Sequence, residues 1–422
     1  MLSSDAGVLL LREVEGKLRL ADRLAACLPE WRDPRFITHR LGDMMRFRIF
    51  AIAAGYEDGD DCDALRADPI FKMALGQAPA SGEALCSQPT MSRLENAPSP
   101  ITLMRMLAAM VELFCDSFDH VPERITLDID DTWDAAHGAQ QLSLFNAHYD
   151  GYGFLPIHIY EASSGKPVAA IFRAGRTPGG VEVASILMHV IGHIRKHWPR
   201  VAITVRGDSH YGRPEAMDWC EEHGVTYVFG LAINPALAAL AAPLAEDAAV
   251  RRARAPWAGR KVRRYGEMSY AARRWRKQRR VVARVEASAQ GSDSRFVVTN
   301  LTDEPKRLYE RLYCARGQME NLIKAHKTHL ASDRTSCHSA AANQFRLILH
   351  SAAYWLLHSL RAAAPRRSPW RTAQFDTVRL RLIKIAARVV EKATRIKVLL
   401  PTSCPEQIIF ARLLRAVAPA DP

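Results

Sequence analysis

Five polar residues, Tyr313, Arg316, Glu320, Lys324 and Lys327, recur at helical spacing near the end of the chain. At 100° per residue they fall within roughly a 90° arc of one helix. One carboxylate among a phenol, a guanidinium and two ammonium groups makes a poor core face. It suits the gripping of phosphates around a metal-binding acid. Two further acids stand at the ends of apolar, β-type runs: Asp130 after 125–129 and Asp208 after 201–207. Two acids at strand ends and a third on a late helix form the layout of a two-metal phosphoryl-transfer site. Mg²⁺ prefers oxygen donors and retains some of its waters, so three carboxylates shared by two Mg²⁺ ions suffice, and Mn²⁺ can substitute. Near neutral pH such acids ionise and repel one another unless cations lie between them. The chemistry implied is the cutting and joining of DNA.

Strand periodicity ranks the first-acid candidates. Asp131 points to the face opposite Asp130, whereas Asp128 shares the Asp130 face but sits further down the strand. Asp130 is therefore preferred, with Asp128 as its rival. Asp208 follows Gly207, which permits a sharp exit from the strand. His210 is near enough to assist at the same place.

The spacing Tyr313-x2-Arg316-x3-Glu320-x6-Lys327 resembles the Tyr-Arg-Glu-Lys signature of bacterial insertion-sequence transposases with an Asp-Asp-Glu (DDE) active site. Four other stretches are similar to one branch, insertion sequence family 1380. They are Leu127-Asp128-Ile129-Asp130-Asp131-Thr132, Val205-Arg206-Gly207-Asp208-Ser209, the run 87–96 from Ser87 to Asn96, and Ala342-Asn343-Gln344-Phe345-Arg346-Leu347. The resemblance extends from about Gly55 to about Cys404. It implies a cut-and-paste DNA transposase that binds terminal inverted repeats, cleaves the transposon ends and joins them to target DNA. It also implies Asp130, Asp208 and Glu320 as catalytic metal ligands, and a homodimer in the synaptic complex. Tyr313, Arg316, Lys324 and Lys327 would contact the DNA. The alternatives are a catalytically silent, transposase-derived DNA-binding protein or repressor, and a ribonuclease H-like nuclease without strand transfer.

Composition agrees with a polyanionic partner. The 422 residues carry a net charge of +13, with 48% hydrophobic and 24% charged residues, which reads as a globular protein with an affinity for nucleic acid. No stretch reaches the roughly 18 apolar residues that span a bilayer, and the start has no signal-peptide pattern, so a cytoplasmic protein is expected. Eight cysteines without a CxxC pair argue against a disulfide framework or a zinc module.

The elements that must position the acids follow from periodicity. Residues 1–120 read as a helical DNA-binding region, with a candidate helix-turn-helix near 87–97 whose second helix is entered by a Ser or Thr cap. Strands at 125–131, 153–161 and 167–173, a helix at 181–197, a strand at 201–207, a helix at 213–223 and a strand at 225–230 follow. This α/β order, with acids after the first and fourth strands, resembles the ribonuclease H fold, with 121–231 as its first part and 299–335, bearing the signature helix, as its last. Between them, 232–298 reads as an inserted basic subdomain, β-rich as the resemblance implies. Its stretch from Arg251 to Arg280 holds thirteen Lys or Arg against one acid, Glu267. Trp257, Tyr265, Tyr270 and Trp275 interleave with those cations. Arg273, Arg274, Arg276 and Lys277 are expected to track the DNA backbone, and Trp275 to stack on an unpaired base. Residues 336–422 read as a helical region with long helices at 340–361 and 375–397.

Overall fold

The N-terminal region is helical, as its apolar spacing predicts. It contains α1 (Val8–Leu18), α2 (Leu20–Cys27), α3 (Leu41–Ala54), α4 (Gln88–Glu95) and α5 (Pro100–Asp116). The computed structural model describes residues 1–254 and 261–418, so Trp257 lies outside the described residues. α4 follows Ser87, with proline in its first turn, where the missing N–H costs nothing. The Ser87 side chain makes no capping bond to the helix. The long connection 75–87 before α4 is not the tight turn of a helix-turn-helix. The short connection comes after it, and the axes of α4 and α5 diverge by 91°. The short connection of α4 is therefore to the helix after it, not to the helix before it. Among the described residues, no single helix is long and apolar enough to cross a membrane.

One mixed sheet of eight strands occupies the middle of the chain. Its strands are β1 (Arg124–Asp131), β2 (Ile157–Glu161), β3 (Pro167–Ile171), β4 (Ala202–Gly207), β5 (Thr226–Leu231), β6 (Val262–Tyr270), β7 (Arg279–Ser288) and β8 (Gly291–Thr299). They lie in the order β6-β7-β8-β5-β4-β1-β2-β3. β1, β4 and β5 run parallel, and the remaining pairings are antiparallel. α6 (Gly180–His197) leads into β4, and α7 (Pro214–Glu222) crosses from β4 to β5. The expected strand 153–161 is broken by Pro156, which has no N–H for a ladder. Gly151–Phe154 instead joins a small second sheet with Asp134–Ala135 and Leu144–Asn146.

Period-2 alternation sends Ile125, Leu127 and Ile129 of β1 to one face and Asp128 and Asp130 to the other. The parallel register sets Asp128 beside Arg206. Two residues further on, Asp130 and Asp208 emerge at neighbouring strand ends on that same face.

The segment expected as an insertion does not form a separate sheet. α8 (Pro235–Ala253) is followed by β6, β7 and β8, and β8 pairs with β5, so these strands extend the central sheet. Val281, Val282, Ala283 and Val285 are all fully buried. A strand apolar on both faces needs cover on both faces, which an isolated hairpin cannot provide.

The first expected C-terminal helix is α9 (Ala340–Ala362), buried along most of its length. Gln344 on α9 accepts from the Phe172 backbone N–H at 2.7 Å and donates to the Ala170 carbonyl at 3.1 Å, so it satisfies the open edge of β3. The second expected helix, 375–397, is corrected. Helical turns end at Ile383, and Ala387–Lys392 and Arg395–Leu399 form a hairpin that also pairs with Leu2–Ser3. Alternation decides this, because Val389 is buried while Arg388 is exposed. The last helix described is α10 (Gln407–Val417).

A buried ionic cluster joins α3, α4 and α9. Arg48 Nε donates to Glu95 Oε1 at 2.9 Å, and Arg346 Nε lies 3.9 Å from Glu95 Oε2. Replacing Glu95 by Ala leaves the buried Arg48 without its carboxylate, while Arg346 keeps Asp58 at 3.4 Å. The expected cost is about 3–5 kcal/mol of folding stability, measured by urea denaturation, with Glu95→Gln costing less.

Candidate active site

Asp130 and Asp208 meet where β1 and β4 end, and the Arg316 guanidinium reaches them from above, donating to Asp130 Oδ2 at 2.7 Å. Burial drives the Asp130 carboxyl up to about 7, against the pull of Arg316, and the charges of Asp208 and Asp131 push the same way as burial. Tyr313 closes the other side. A Cβ at Gly230 of β5 would lie 2.7 Å from the Tyr313 hydroxyl and 2.9 Å from the Ser209 nitrogen. Only glycine allows the signature tyrosine and the Asp208 turn to approach β5 this closely.

The neighbouring acids are engaged elsewhere. Asp128 is bound by Arg206 through two parallel bonds, Nε to Oδ1 and Nη2 to Oδ2, both 2.6 Å. This fork geometry in a buried site leaves Asp128 little capacity for another cation. Asp131 Oδ2 lies 3.0 Å from His210 Nδ1 and accepts from the Tyr211 hydroxyl at 3.1 Å. The His210 amide donates to Asp208 Oδ1 at 2.8 Å. The bond to Asp131 raises the His210 pKa. Sequence alone does not single out Arg206 or Tyr211, and it sets Asp131 aside as facing away from Asp130. A strand-borne arginine at the register of an acid was the signal available for the first.

The signature residues do not stay on one stripe. The helix that starts at Pro305–Arg307 passes through a π segment (Leu308–Tyr313), a 3₁₀ segment (Cys314–Gly317), an α segment (Gln318–Lys324) and a second π segment (Ala325–His329). A π turn closes i→i+5 and a 3₁₀ turn i→i+3, so 100° bookkeeping fails across them. Tyr313, Arg316 and Lys327 are half-buried, with Lys327 donating to the Trp133 carbonyl and lying 3.5 Å from Asp134 Oδ1. Glu320 and Lys324 are exposed. Burial pushes the Asp134 carboxyl up to about 7.

The basic segment is largely self-compensated. Arg279 is buried between Asp218 and Glu221 of α7. Lys277 pairs with Glu221 at 2.9 Å, and Arg276 lies 3.6 Å from Asp218. Arg273 and Arg274 are exposed in the β6–β7 turn. Trp275 is half-buried, with Tyr270 edge-on at 5.4 Å and the Arg279 guanidinium over its ring at 5.4 Å. These contacts engage part of its ring inside the protein.

A family model described as Transposase DDE domain group 1 matches residues 1–422. The chain belongs to the DDE transposases. Among solved structures, a piggyBac transposase synaptic complex with hairpin DNA is similar at 10% identity and a TM-score of 0.43, over 90% of this chain and 80% of that one. No curated protein matches the chain. DDE transposases are in general metal-dependent, DNA-cleaving enzymes that use divalent ions. In this transposase the Asp130–Asp208 pair offers such an ion two hard oxygen donors, whose mutual repulsion a bound cation would relieve. Glu320 does not complete the set in this conformation. Among the described residues, no three His, Cys, Asp or Glu side chains converge into a metal-holding group.

Stability separates the two candidate first acids. Asp128→Ala leaves Arg206 buried without its counter-ion and should cost about 3–5 kcal/mol. Asp130 behaves oppositely. Its folded pKa lies above the unfolded value, so its contribution is fully present below about 3.9 and is lost as pH rises through about 7. Asp130→Asn removes that loss and should melt higher, relative to wild type, at pH 8 than at pH 5. Thermal melts of both variants in chelator-treated buffer provide the comparison.

Proposed function

We propose that this DDE transposase is a cut-and-paste enzyme of the insertion sequence family 1380 type, carrying the Tyr-Arg-Glu-Lys signature at Tyr313, Arg316, Glu320 and Lys327. On this reading strands β1 to β5, in the spatial order 3-2-1-4-5, are a ribonuclease H-like core. Its substrate would be the terminal inverted repeats of its own element, brought together by a homodimer. The observation that carries the reading is the side-by-side exit of Asp130 and Asp208 from adjacent parallel strands, with Arg316 of the signature helix bonded to the first.

In the proposed reaction Asp130, Asp208 and Glu320 would hold two Mg²⁺ ions, with Mn²⁺ as a substitute. Bound there, the ions supply activation of the attacking oxygen and neutralisation of the charge growing on the phosphoryl oxygens. Arg316 must first release Asp130, and its guanidinium is then free to take a phosphate oxygen in bidentate fashion. Glu320 must turn inward from solvent. The flanking π segments are where the helix can change register to bring it in. Tyr313 and Lys327 remain at the rim as further contacts to the transposon end.

Alanine at Asp130, Asp208 or Glu320 should lower Mg²⁺-dependent cleavage of an inverted-repeat duplex by several orders of magnitude while leaving binding of that duplex largely intact. Undiminished cleavage by Asp130→Ala would overturn the assignment, and gel assays of cutting and binding on one substrate decide it.

The basic turn gives a graded outcome. Each phosphate contact contributes about 0.9 to the salt slope of binding. Neutralising Arg273 and Arg274 together should therefore flatten the slope by about two units. Adding Arg276 and Lys277 should change it less, because both are already paired with acids of α7. A salt titration of wild type, the double variant and the fourfold variant measures this.

A further inference from the structure

The chain that ends β1 at the acids continues through Thr132 to Trp133, where it enters the small sheet of Asp134–Ala135, Leu144–Asn146 and Gly151–Phe154. The Trp133 indole presses against Gly153, where a Cβ would lie 2.6 Å from two of its ring carbons. No side chain fits there, so Gly153 lets the indole lie down on the hairpin. Tyr149 stacks on the indole with 4.6 Å between ring centroids and 8° between planes. His148 supports the phenol edge-on at 4.8 Å and 87°. Tyr149 nevertheless remains 45% exposed.

Nearby, Phe145 and Tyr152 are also exposed, packed edge-on to each other at 5.5 Å. Aromatic surface is strongly favoured in a core, and rings held in fixed geometry at the surface mark a binding face. The position of this face identifies what covers it. Trp133 follows Asp130 by three residues, and its carbonyl accepts from Lys327 of the signature helix. The charges of Asp131, Asp130 and Asp208 all reach the Tyr149 hydroxyl, adding to the upward push of burial. Whatever rests on Tyr149 therefore adjoins the group held by Asp130 and Arg316. For a chain that processes DNA, that neighbour of a phosphate is a base. A paired base hides its faces inside the duplex, while an unpaired one offers a face to stack.

We propose that Tyr149, backed by Trp133, is a stacking platform for an unpaired nucleobase beside a phosphate taken by Arg316 at the Asp130–Asp208 site. It takes the role that the sequence suggested for Trp275, whose half-buried ring already contacts Tyr270 and Arg279. Stacking of this kind tolerates any base, so the platform recognises strand opening rather than sequence. The proposal rests on the transposase reading given above.

The test uses the full chain and two probes of one sequence: a blunt duplex, and a duplex with a 3′ oligothymidine overhang carrying one 2-aminopurine. Wild type should bind the overhang duplex and change the 2-aminopurine fluorescence. Tyr149→Ala should weaken overhang binding roughly tenfold, within the range of one base–aromatic stack, abolish the fluorescence change and leave blunt-duplex affinity unaltered. Tyr149→Phe should retain all three properties. Unchanged overhang binding by Tyr149→Ala, or an equal loss on both duplexes, overturns the platform while the transposase reading stands. A change in sedimentation of Tyr149→Ala with unchanged DNA binding assigns the face to a second copy of the chain and also overturns it. Wild type that binds neither duplex overturns the transposase reading and the platform with it.

Discussion

The paired bonds between Arg206 and Asp128 hold the site together. They bridge the two parallel strands whose ends carry Asp130 and Asp208, so they set the register on which the position of both acids depends. Arg206 also donates to the Leu312 carbonyl, which fastens the signature helix over the same face. A buried ion pair contributes little net stability compared with apolar residues of the same shape, but breaking one partner out of it is costly. That asymmetry suits a device whose job is alignment. A slip of one residue in β1 would send Asp128 and Asp130 to the opposite face.

Above this base, the charges form a self-balanced resting state. Arg316 answers Asp130, Lys327 answers Asp134, and His210 with Tyr211 answers Asp131. Each cation or hydroxyl offsets part of the repulsion that clustered, buried carboxylates would otherwise suffer. On the proposed reading, binding DNA and metal would exchange these internal partners for external ones. A helix built from π, 3₁₀ and α turns in succession has nearby alternative registers, and it is the element that carries Arg316, Glu320 and Lys327.

α9 connects this site to the N-terminal helices. Its Arg346 shares Glu95 with Arg48, its Gln344 caps the edge of β3, and its Ser351 bonds to His326 in the signature helix at 3.0 Å. Burial holds His326 and His350 neutral, well below the ordinary histidine range, so they pack as polar core rather than as titrating groups. The platform at Tyr149, the acids and the signature helix therefore rest on one continuous framework.

Local pattern was enough for much of this. Alternation in 125–131 and 201–207 identified the strands and the shared face of Asp128 and Asp130, because the side-chain period of a strand is a property of the backbone alone. The apolar run of 340–361 identified a buried helix, and the spacing of Tyr313, Arg316, Glu320 and Lys327 carried the resemblance to transposases. Sequence could not say that Arg206 would take Asp128, that acids of α7 would pair with Arg276 and Lys277, or that Tyr270 and Arg279 would pack on Trp275. Those outcomes depend on partners distant along the chain, and burial and pairing decide them. The same holds for 375–397, where pairing with Leu2–Ser3 helps make a hairpin of residues that also tolerate a helix. It holds for Glu320 as well, since turns of unequal pitch within one helix follow from what packs against it, and a 100° wheel assumes a uniform one. Residue types and their order along the chain determined the chemistry available to this protein. Which groups are free to perform it was decided by the contacts that folding brought together.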